Sequence, residues 1–190
     1  MQVKLFEARY AQKVATLLNN YLPFEEENEN TVLQAGGIQY ICVDGEEVIG
    51  YIAGYLIEDA RNEFPYFERE LTQLRSIITE KTTFYTSHLV VNPNYRGQGI
   101  GRALVEAYDN AVKEQADAVI SVGWVKSDTK SWDAEKLFTS IGLTRFVYIH
   151  EYFKPYDVYC PSCDGRCICD ADIYYKVYKL SLIHISEPTR

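Results

Sequence analysis

The sequence predicts an α/β (α+β) single domain, in which a central mixed, mostly antiparallel sheet is flanked by helices and a β-α-β unit forms the core. Three observations carry that expectation. Apolar, β-branched residues through Leu89-Val90-Val91 stop at Asn92-Pro93, a glycine-studded turn follows, and an apolar stripe at helical spacing then leads to a second apolar run, Ala118 to Val122. Ile38 to Val43 and Glu47 to Ile57 flank Asp44-Gly45, a tight-turn dipeptide that joins two antiparallel strands. A length of 190 residues with 47% hydrophobic content suits one domain with a sizeable core.

In chain order, Val3 to Phe6 alternate as a first strand, and Tyr10, Ala11, Val14, Ala15, Leu17 and Leu18 recur at helical spacing. The acidic stretch Glu25 to Glu29 is expected to be a solvated face or a helix start, since charge runs usually face water. The hairpin follows. Across Asn62 to Lys81, residues Phe64, Phe67, Leu71, Leu74 and Ile78 mark one apolar helix face, which either packs on the sheet or covers an entrance to it.

Thr82 to Val91 is then a strand, and Ile100, Ala103, Leu104, Ala107, Tyr108, Ala111 and Val112 stripe the helix behind the glycine turn. Ala118 to Val122 runs parallel to that strand. Asp133 to Ile141 is a helix ended by Gly142, Leu143 to Phe153 a strand, and Ile173 to Leu180 a last strand after an interrupting cysteine segment. The stretch Leu180 to Arg190 (LSLIHISEPTR) looks like an in-frame translation of a transposase sequencing adapter and is set aside with His184. The domain is thus expected to span residues 1–179, with 180–190 as a tail.

The formal net charge of −8 and a pI of about 4.9 oppose a polyanion, so no nucleic acid is expected as a partner. An acidic surface suits a cationic or amine-bearing partner, and also plain solubility. No run reaches the roughly 18 apolar residues a membrane span needs, and MQVKLFEARY lacks the apolar core of a signal peptide, so a cytoplasmic location is expected. A homodimer stays open.

The chemistry concentrates at Arg96-Gly97-Gln98-Gly99-Ile100-Gly101-Arg102. Glycines let backbone N–H groups approach a ligand, and the helix N-terminus behind them favours negative charge, which makes the turn a diphosphate cradle. Rival glycine motifs fit worse. A dinucleotide G-x-G-x-x-G begun at Gly97 would need glycine at Arg102, and the Lys-Ser/Thr pair of a nucleotide P-loop is absent.

With Leu89, Val91 and Pro93 upstream and Ser131, Ala134, Leu137, Phe138 and Ile141-Gly142-Leu143 downstream, the chain resembles the GNAT superfamily of acyl-CoA-dependent N-acetyltransferases over roughly Gln2 to Phe153. The resemblance implies acetyl-CoA as cosubstrate, its pyrophosphate on the backbone N–H groups of Gly97 to Arg102, with charge from Arg96 and Arg102. It implies that Leu89, Val90 and Val91 run beside pantetheine, that this strand splays from Ala118 to Val122, and that Ser131 stands near the cofactor where the family often has asparagine. A strand N–H would polarise the thioester carbonyl, and an amine of a small-molecule or protein acceptor would attack it directly.

Attack needs a neutral amine, so a proton acceptor is required, and His88 and Tyr85 on the strand before the turn are the candidates, with His150 weaker. Many family members carry a tyrosine that protonates the leaving thiolate, and Phe138 occupies the matching position here. Tyr85, Tyr95 or another tyrosine substitutes for it, or the thiolate leaves unassisted. The alternative function is therefore a catalytically weak CoA-binding regulatory or protein-interaction domain.

Cys42 lies alone in an apolar stretch, whereas Cys160, Cys163, Cys167 and Cys169 crowd into ten residues, 160–169. Four thiolates at C-x2-C and C-x-C spacing suit a structural Zn2+ that pins the last strands, with free thiols, a disulfide or an iron–sulfur cluster as alternatives.

Overall fold

The computed structural model describes residues 1–22, 26–58, 81–160 and 162–178. The amphipathic stretch expected at Asn62 to Lys81 lies, but for its last residue, outside them, as does the tail 180–190.

Strands β1 (Gln2–Leu5), β2 (Ile38–Asp44), β3 (Glu47–Leu56), β4 (Thr83–Val91), β5 (Ala118–Val125), β6 (Thr144–Ile149) and β9 (Asp170–Val177) form one seven-stranded sheet in the order β1-β2-β3-β4-β5-β9-β6. Two-residue strands β7 (Tyr159–Cys160) and β8 (Gly165–Arg166) pair separately. Among the described residues only β4 and β5 are parallel, as the crossover helix between them requires, so the sheet is mixed and mostly antiparallel as the sequence predicts.

Helices α1 (Ala11–Tyr21) and α2 (Glu29–Gln34) cover one face, and α3 (Ile100–Gln115) and α4 (Glu135–Ser140) the other. Val14, Ala15, Leu17 and Leu18 of α1 bury against Ile41, Tyr51, Ala53 and Val90, while Ile100, Leu104, Val105, Tyr108 and Val112 of α3 bury against Ile49, Ile52, Phe84 and Val119. Alternation along each strand assigns neighbours to opposite faces, which is why Ile52 sits with α3 and Tyr51 with α1.

Several boundaries differ from the sequence expectation. The hairpin turn is centred on Gly45 and Glu46, with Gly45 alone at positive φ (+59°), because Asp44 pairs with Glu47. The helix expected over Asp133 to Ile141 is the shorter α4, closed by Gly142 at φ +89°. The strand expected over Leu143 to Phe153 stops at Ile149, where His150 begins a turn that places Glu151 at φ +50°. The last strand begins at Asp170, three residues before Ile173, because two carboxylates in it are buried with partners: Asp172 takes Arg145 Nε at 2.6 Å, and Asp170 takes the Glu151 N–H at 2.9 Å.

Two local devices shape the centre of the sheet. Pairing of β4 with β5 covers only Thr83–Thr86 against Ala118–Ser121; beyond that the two strands diverge. The register of β4 on β3 shifts between Ala53↔His88 and Gly54↔Thr86, so Ser87 is an extra, bulged residue whose Oγ donates to the Ala53 carbonyl at 3.3 Å. An extra residue swaps faces. Phe84 and Thr86 point toward α3, whereas His88 and Val90 point toward α1, and Leu89 and Val91 toward α3.

Candidate functional site

The divergence of β4 from β5 opens a cleft of about 380 Å³ through the sheet, lined from β4 by Tyr85 through Val91, from β5 by Ser121, Val122 and Trp124, and from its rims by Arg96, Trp132, Phe138 and Phe153. The ladder fixes which backbone groups face it. Asn92 donates its N–H to the Ile49 carbonyl at 2.9 Å, so by antiparallel alternation Val90 and His88 also spend their N–H and C=O groups on β3. Leu89 and Val91 therefore turn theirs toward the cleft, and Val91 O accepts from Arg96 Nε at 3.4 Å. Val90, grouped with Leu89 and Val91 in the sequence analysis, has its backbone on β3 and its side chain buried against α1, so it supports the strand and offers no polar group to a cofactor.

At the end of β4, Asn92 Oδ1 accepts the Asn94 N–H at 3.0 Å and starts a single turn at Pro93–Tyr95. Gly97 and Gly99 follow at φ +76° and +79°, and Gly99 caps α3. An L side chain is strained at both, and no atom lies within 4 Å of where a Cβ would stand, so the glycines serve the backbone path and leave the space over it open. The first helical hydrogen bond runs from Ala103 N–H to Gly99 O at 3.0 Å. Among the described residues, the N–H groups of Gly97, Gln98, Gly99, Ile100, Gly101 and Arg102 are thus left unspent at a helix N-terminus, which is what an anionic diphosphate needs.

Of the remaining loop residues, Ile100 anchors the first turn in the core at 5% exposure, and Gly101 is pressed against Leu137, whose Cδ1 would lie 2.9 Å from an added Cβ. Gln98 and Arg96 are exposed. Arg102 pairs with Glu106 one turn on, Nε to Oε1 at 2.9 Å, so its charge is shared along the helix surface. Ser131 does not reach the cleft lining: its Oγ donates to Thr129 Oγ1 at 2.9 Å, and its carbonyl closes the Lys126–Ser131 turn.

The next residues do reach it. Trp132 lies on β5 where Gly123 has no side chain, its ring atoms 2.3 Å from a hypothetical Cβ, and it stacks on Phe138 at 5.2 Å and 17° and meets Tyr174 tilted at 53° and 5.0 Å. Phe138 is 2% exposed within that stack and has no proton to give. Tyr174 is committed to Glu135 Oε1 at 2.7 Å, and burial followed by that carboxylate pushes its hydroxyl up to about 12. Tyr95 packs at the edge of the α3 core, whereas Tyr85 lines the cleft, edge-on to Tyr55 at 5.6 Å.

On the α1 face stands a pair that the sequence did not announce. His88 Nδ1 is 3.0 Å from Ser87 Oγ, and its Nε2 is 3.9 Å from Glu27 Oε1, a carboxylate whose side chain is only 18% exposed. Glu27 is held by Asn19, which caps its backbone through Oδ1 at 2.8 Å and Nδ2 at 2.7 Å, and by the Thr31 hydroxyl. The Glu25 to Glu29 stretch, expected to be solvated, thus turns one carboxylate inward. The other sequence candidate, His150, is exposed outside the cleft and binds Asp170 Oδ1 at 2.8 Å.

The chain matches a protein-family model, described as the acetyltransferase (GNAT) family, over residues 6–142. The chain belongs to the acetyltransferase (GNAT) family. Solved structures agree in fold. The ribosomal-protein-S18-alanine N-acetyltransferase from Escherichia coli superposes with a TM-score of 0.64 at 15% identity, covering 97% of each chain. NAA60 from Arabidopsis thaliana, in complex with acetyl-CoA, gives 0.66 at 15% identity over 93% of this chain and 97% of that one. The aminoglycoside 6′-N-acetyltransferase from Enterococcus faecium gives 0.62 at 14% identity over 95% and 98%. No curated protein matches the chain in sequence. Arg96, which opens the glycine turn, is the residue of that turn that also lines the cleft.

The four clustered cysteines converge as the sequence suggested. Their sulfurs all lie within 4.8 Å of one another, with Cys160 to Cys169 at 3.8 Å and Cys163 to Cys169 at 3.5 Å, and no disulfide joins them. Tetrahedral Zn2+ with Zn–S bonds near 2.3 Å places its sulfurs about 3.8 Å apart, so the set fits that ion. Cys160, Cys167 and Cys169 are fully buried, and Cys163 sits at the rim beside Ser127 Oγ at 3.3 Å.

Proposed function

We propose that this protein transfers the acetyl group of acetyl-CoA directly to an amine. The observation that carries the reading is the pairing of six unspent N–H groups at the glycine turn with a cleft opened between β4 and β5 and walled by Leu89 and Val91 backbone groups. The turn takes the diphosphate, Leu89 and Val91 take the pantetheine arm, and the Leu89 N–H faces the gap in which a thioester carbonyl gains charge during attack.

His88 supplies the proton acceptor on the opposite face, with Glu27 orienting the imidazole or holding the incoming ammonium before it loses its proton. Tyr85, which lines the cleft, is the proposed proton donor, since Phe138 has no proton to give. The acceptor class is an amine of a small molecule or protein. Solved GNAT neighbours act on an alanine of a ribosomal protein and on an aminoglycoside, which supports the class and leaves the member open. A structural Zn2+ at Cys160, Cys163, Cys167 and Cys169 completes the reading.

Titration calorimetry with acetyl-CoA, followed by thiol release from acetyl-CoA across a panel of primary amines, tests it. Binding with amine-dependent release is expected; absence of binding would overturn the proposal. The stacked Phe138 favours one second reading, a CoA-binding domain with weak turnover, and tight binding without release by any amine would select it.

A further inference from the structure

We infer that the cysteine knuckle, with Zn2+ bound, is the wall of the acceptor side of the cleft, so that metal occupancy governs that side and leaves the diphosphate side unchanged. The inference rests on the zinc and acetyltransferase readings above and adds a coupling that neither contains.

The physical link is a shared pair of aromatic rings. Trp124 and Phe153 both line the cleft, and both pack on the buried cysteine cluster. They come from separate parts of the chain, Trp124 near the end of β5 and Phe153 from the turn after β6, and the knuckle packs on both. Phe153 donates its N–H to the Cys169 carbonyl at 3.3 Å, and Cys167 donates its N–H to the Val158 carbonyl at 2.9 Å. On the β5 side, Ser127 Oγ contacts Cys163 Sγ at 3.3 Å, and Ser162 Oγ donates to Asp128 Oδ1 at 2.8 Å. The sulfur cluster therefore ties the turn beyond β5 to the turn beyond β6.

Among the described residues, Arg166 also donates to the Lys154 carbonyl at 3.2 Å and pairs with Asp157 at 3.0 Å, but the knuckle has little regular structure of its own. Its strands β7 and β8 are two residues each, shorter than any hairpin that stands alone, and its apolar interior is three cysteines. Small segments of this kind take their folding energy from the metal. Facing matters as much as proximity. Along β5, Gly123 meets Trp132 on the α3 side, so Trp124 points to the opposite side, the one to which the bulge at Ser87 also directs His88. The glycine turn and α3 belong to the other core, and none of the four cysteines packs in it.

The chain has two tryptophans, one on each side, so each variant leaves a reporter. Trp132→Phe leaves Trp124, and Trp124→Phe leaves Trp132. The full chain is purified, its zinc content measured by atomic emission, and the metal withdrawn with a chelator and returned. One zinc per chain is expected, with tetrahedral thiolate bands when Co2+ replaces it. On withdrawal the Trp124 emission shifts to the red and recovers on return, the Trp132 emission stays in place, and acetyl-CoA affinity by calorimetry holds within about threefold.

Cys163→Ser, at the rim where the fold tolerates change, should weaken zinc binding, and Cys163→His should restore it. Absence of metal would sink the zinc reading and the wall with it. Bound zinc with an unmoved Trp124 would overturn the wall alone. Simultaneous loss of both tryptophan signals and of acetyl-CoA binding would show a global scaffold and overturn the sidedness. Failure of acetyl-CoA to bind with zinc in place would count against the acetyltransferase reading instead.

Discussion

The two sides of the cleft are built on different principles. The side proposed for the diphosphate is one run of seven residues, Arg96 to Arg102, that offers backbone donors and depends on side chains being absent at Gly97 and Gly99. The side proposed for the acceptor is assembled from side chains on separate segments, Glu27, His88, Trp124 and Phe153, placed by a cap from Asn19, a bulge at Ser87 and a cysteine knuckle. A backbone site is damaged by adding atoms, and a side-chain site by removing them.

The largest test of that contrast adds atoms. Gly99→Glu places a carboxylate where anions bind and forces an L residue to φ +79°, and acetyl-CoA affinity should fall by more than about 100-fold, roughly 3 kcal/mol. Gly99→Ala, which adds only the backbone strain of about 1–2 kcal/mol, should lose about 5- to 30-fold in the same calorimetric titration. Equal affinity in wild type and Gly99→Glu would remove the turn from the site.

Removing atoms from the other side should leave acetyl-CoA affinity within about threefold while lowering turnover. His88→Ala is expected to reduce the rate of amine-dependent thiol release by about 10²-fold and to flatten its rise with pH, and Glu27→Gln by about 10-fold, in line with its proposed role of orienting the imidazole or holding the ammonium. A fall in acetyl-CoA affinity in His88→Ala as large as that in Gly99→Glu would erase the division between the sides. A third substitution probes the partition itself. Gly123→Ala drives a methyl into the Trp132 indole, which Phe138 and Tyr174 hold from behind, so thermal unfolding should show a loss of about 1–3 kcal/mol.

This difference also explains what was legible in the sequence. The glycine turn announces itself because its function is contiguous: a strand end, positive-φ residues and a helix stripe lie in one window. The parallel neighbour at Ala118 and the cysteine cluster were legible for the same reason. Glu27 was hidden in an acidic run, where nothing local tells which carboxylate turns inward. His88 was identified as chemistry, yet its facing depends on the Ser87 bulge, and strict alternation from Phe84 would have placed it on the α3 side. The strand expected through Phe153 ends early and β9 starts early for a related reason, because buried Asp170 and Asp172 look polar in sequence while Arg145 and the Glu151 N–H satisfy them in space. Trp132 and Trp124 gave no periodic signal, since the glycine and the cysteines that seat them are distant or unlike them.

The smallest effect expected is electrostatic, and one deeply buried tyrosine on each face illustrates it. Tyr51 on the α1 face and Tyr108 on the α3 face are both 1% exposed, and burial raises the hydroxyl pKa of each above the ordinary value of 10, with Glu27 adding to the rise at Tyr51. A raised folded-state pKa means the stabilising contribution is complete below pH 10 and is lost as pH climbs from there toward the folded value, since the unfolded chain releases the proton first. Each tyrosine should then cost about 1.4 kcal/mol per pH unit above 10. Tyr51→Phe and Tyr108→Phe should each reduce that alkaline slope by one proton's worth. At pH 7 they should differ: Tyr51 donates to Gln39 Oε1 at 2.9 Å in a buried setting, so its loss costs about 1 kcal/mol, whereas Tyr108 meets Thr86 at 3.4 Å and its loss is close to neutral. Denaturant titrations at pH 7 and above pH 10 separate the two, and a Tyr108→Phe variant as costly at pH 7 as Tyr51→Phe would show that the hydroxyl beside Gly54 holds the β3–β4 bulge in place.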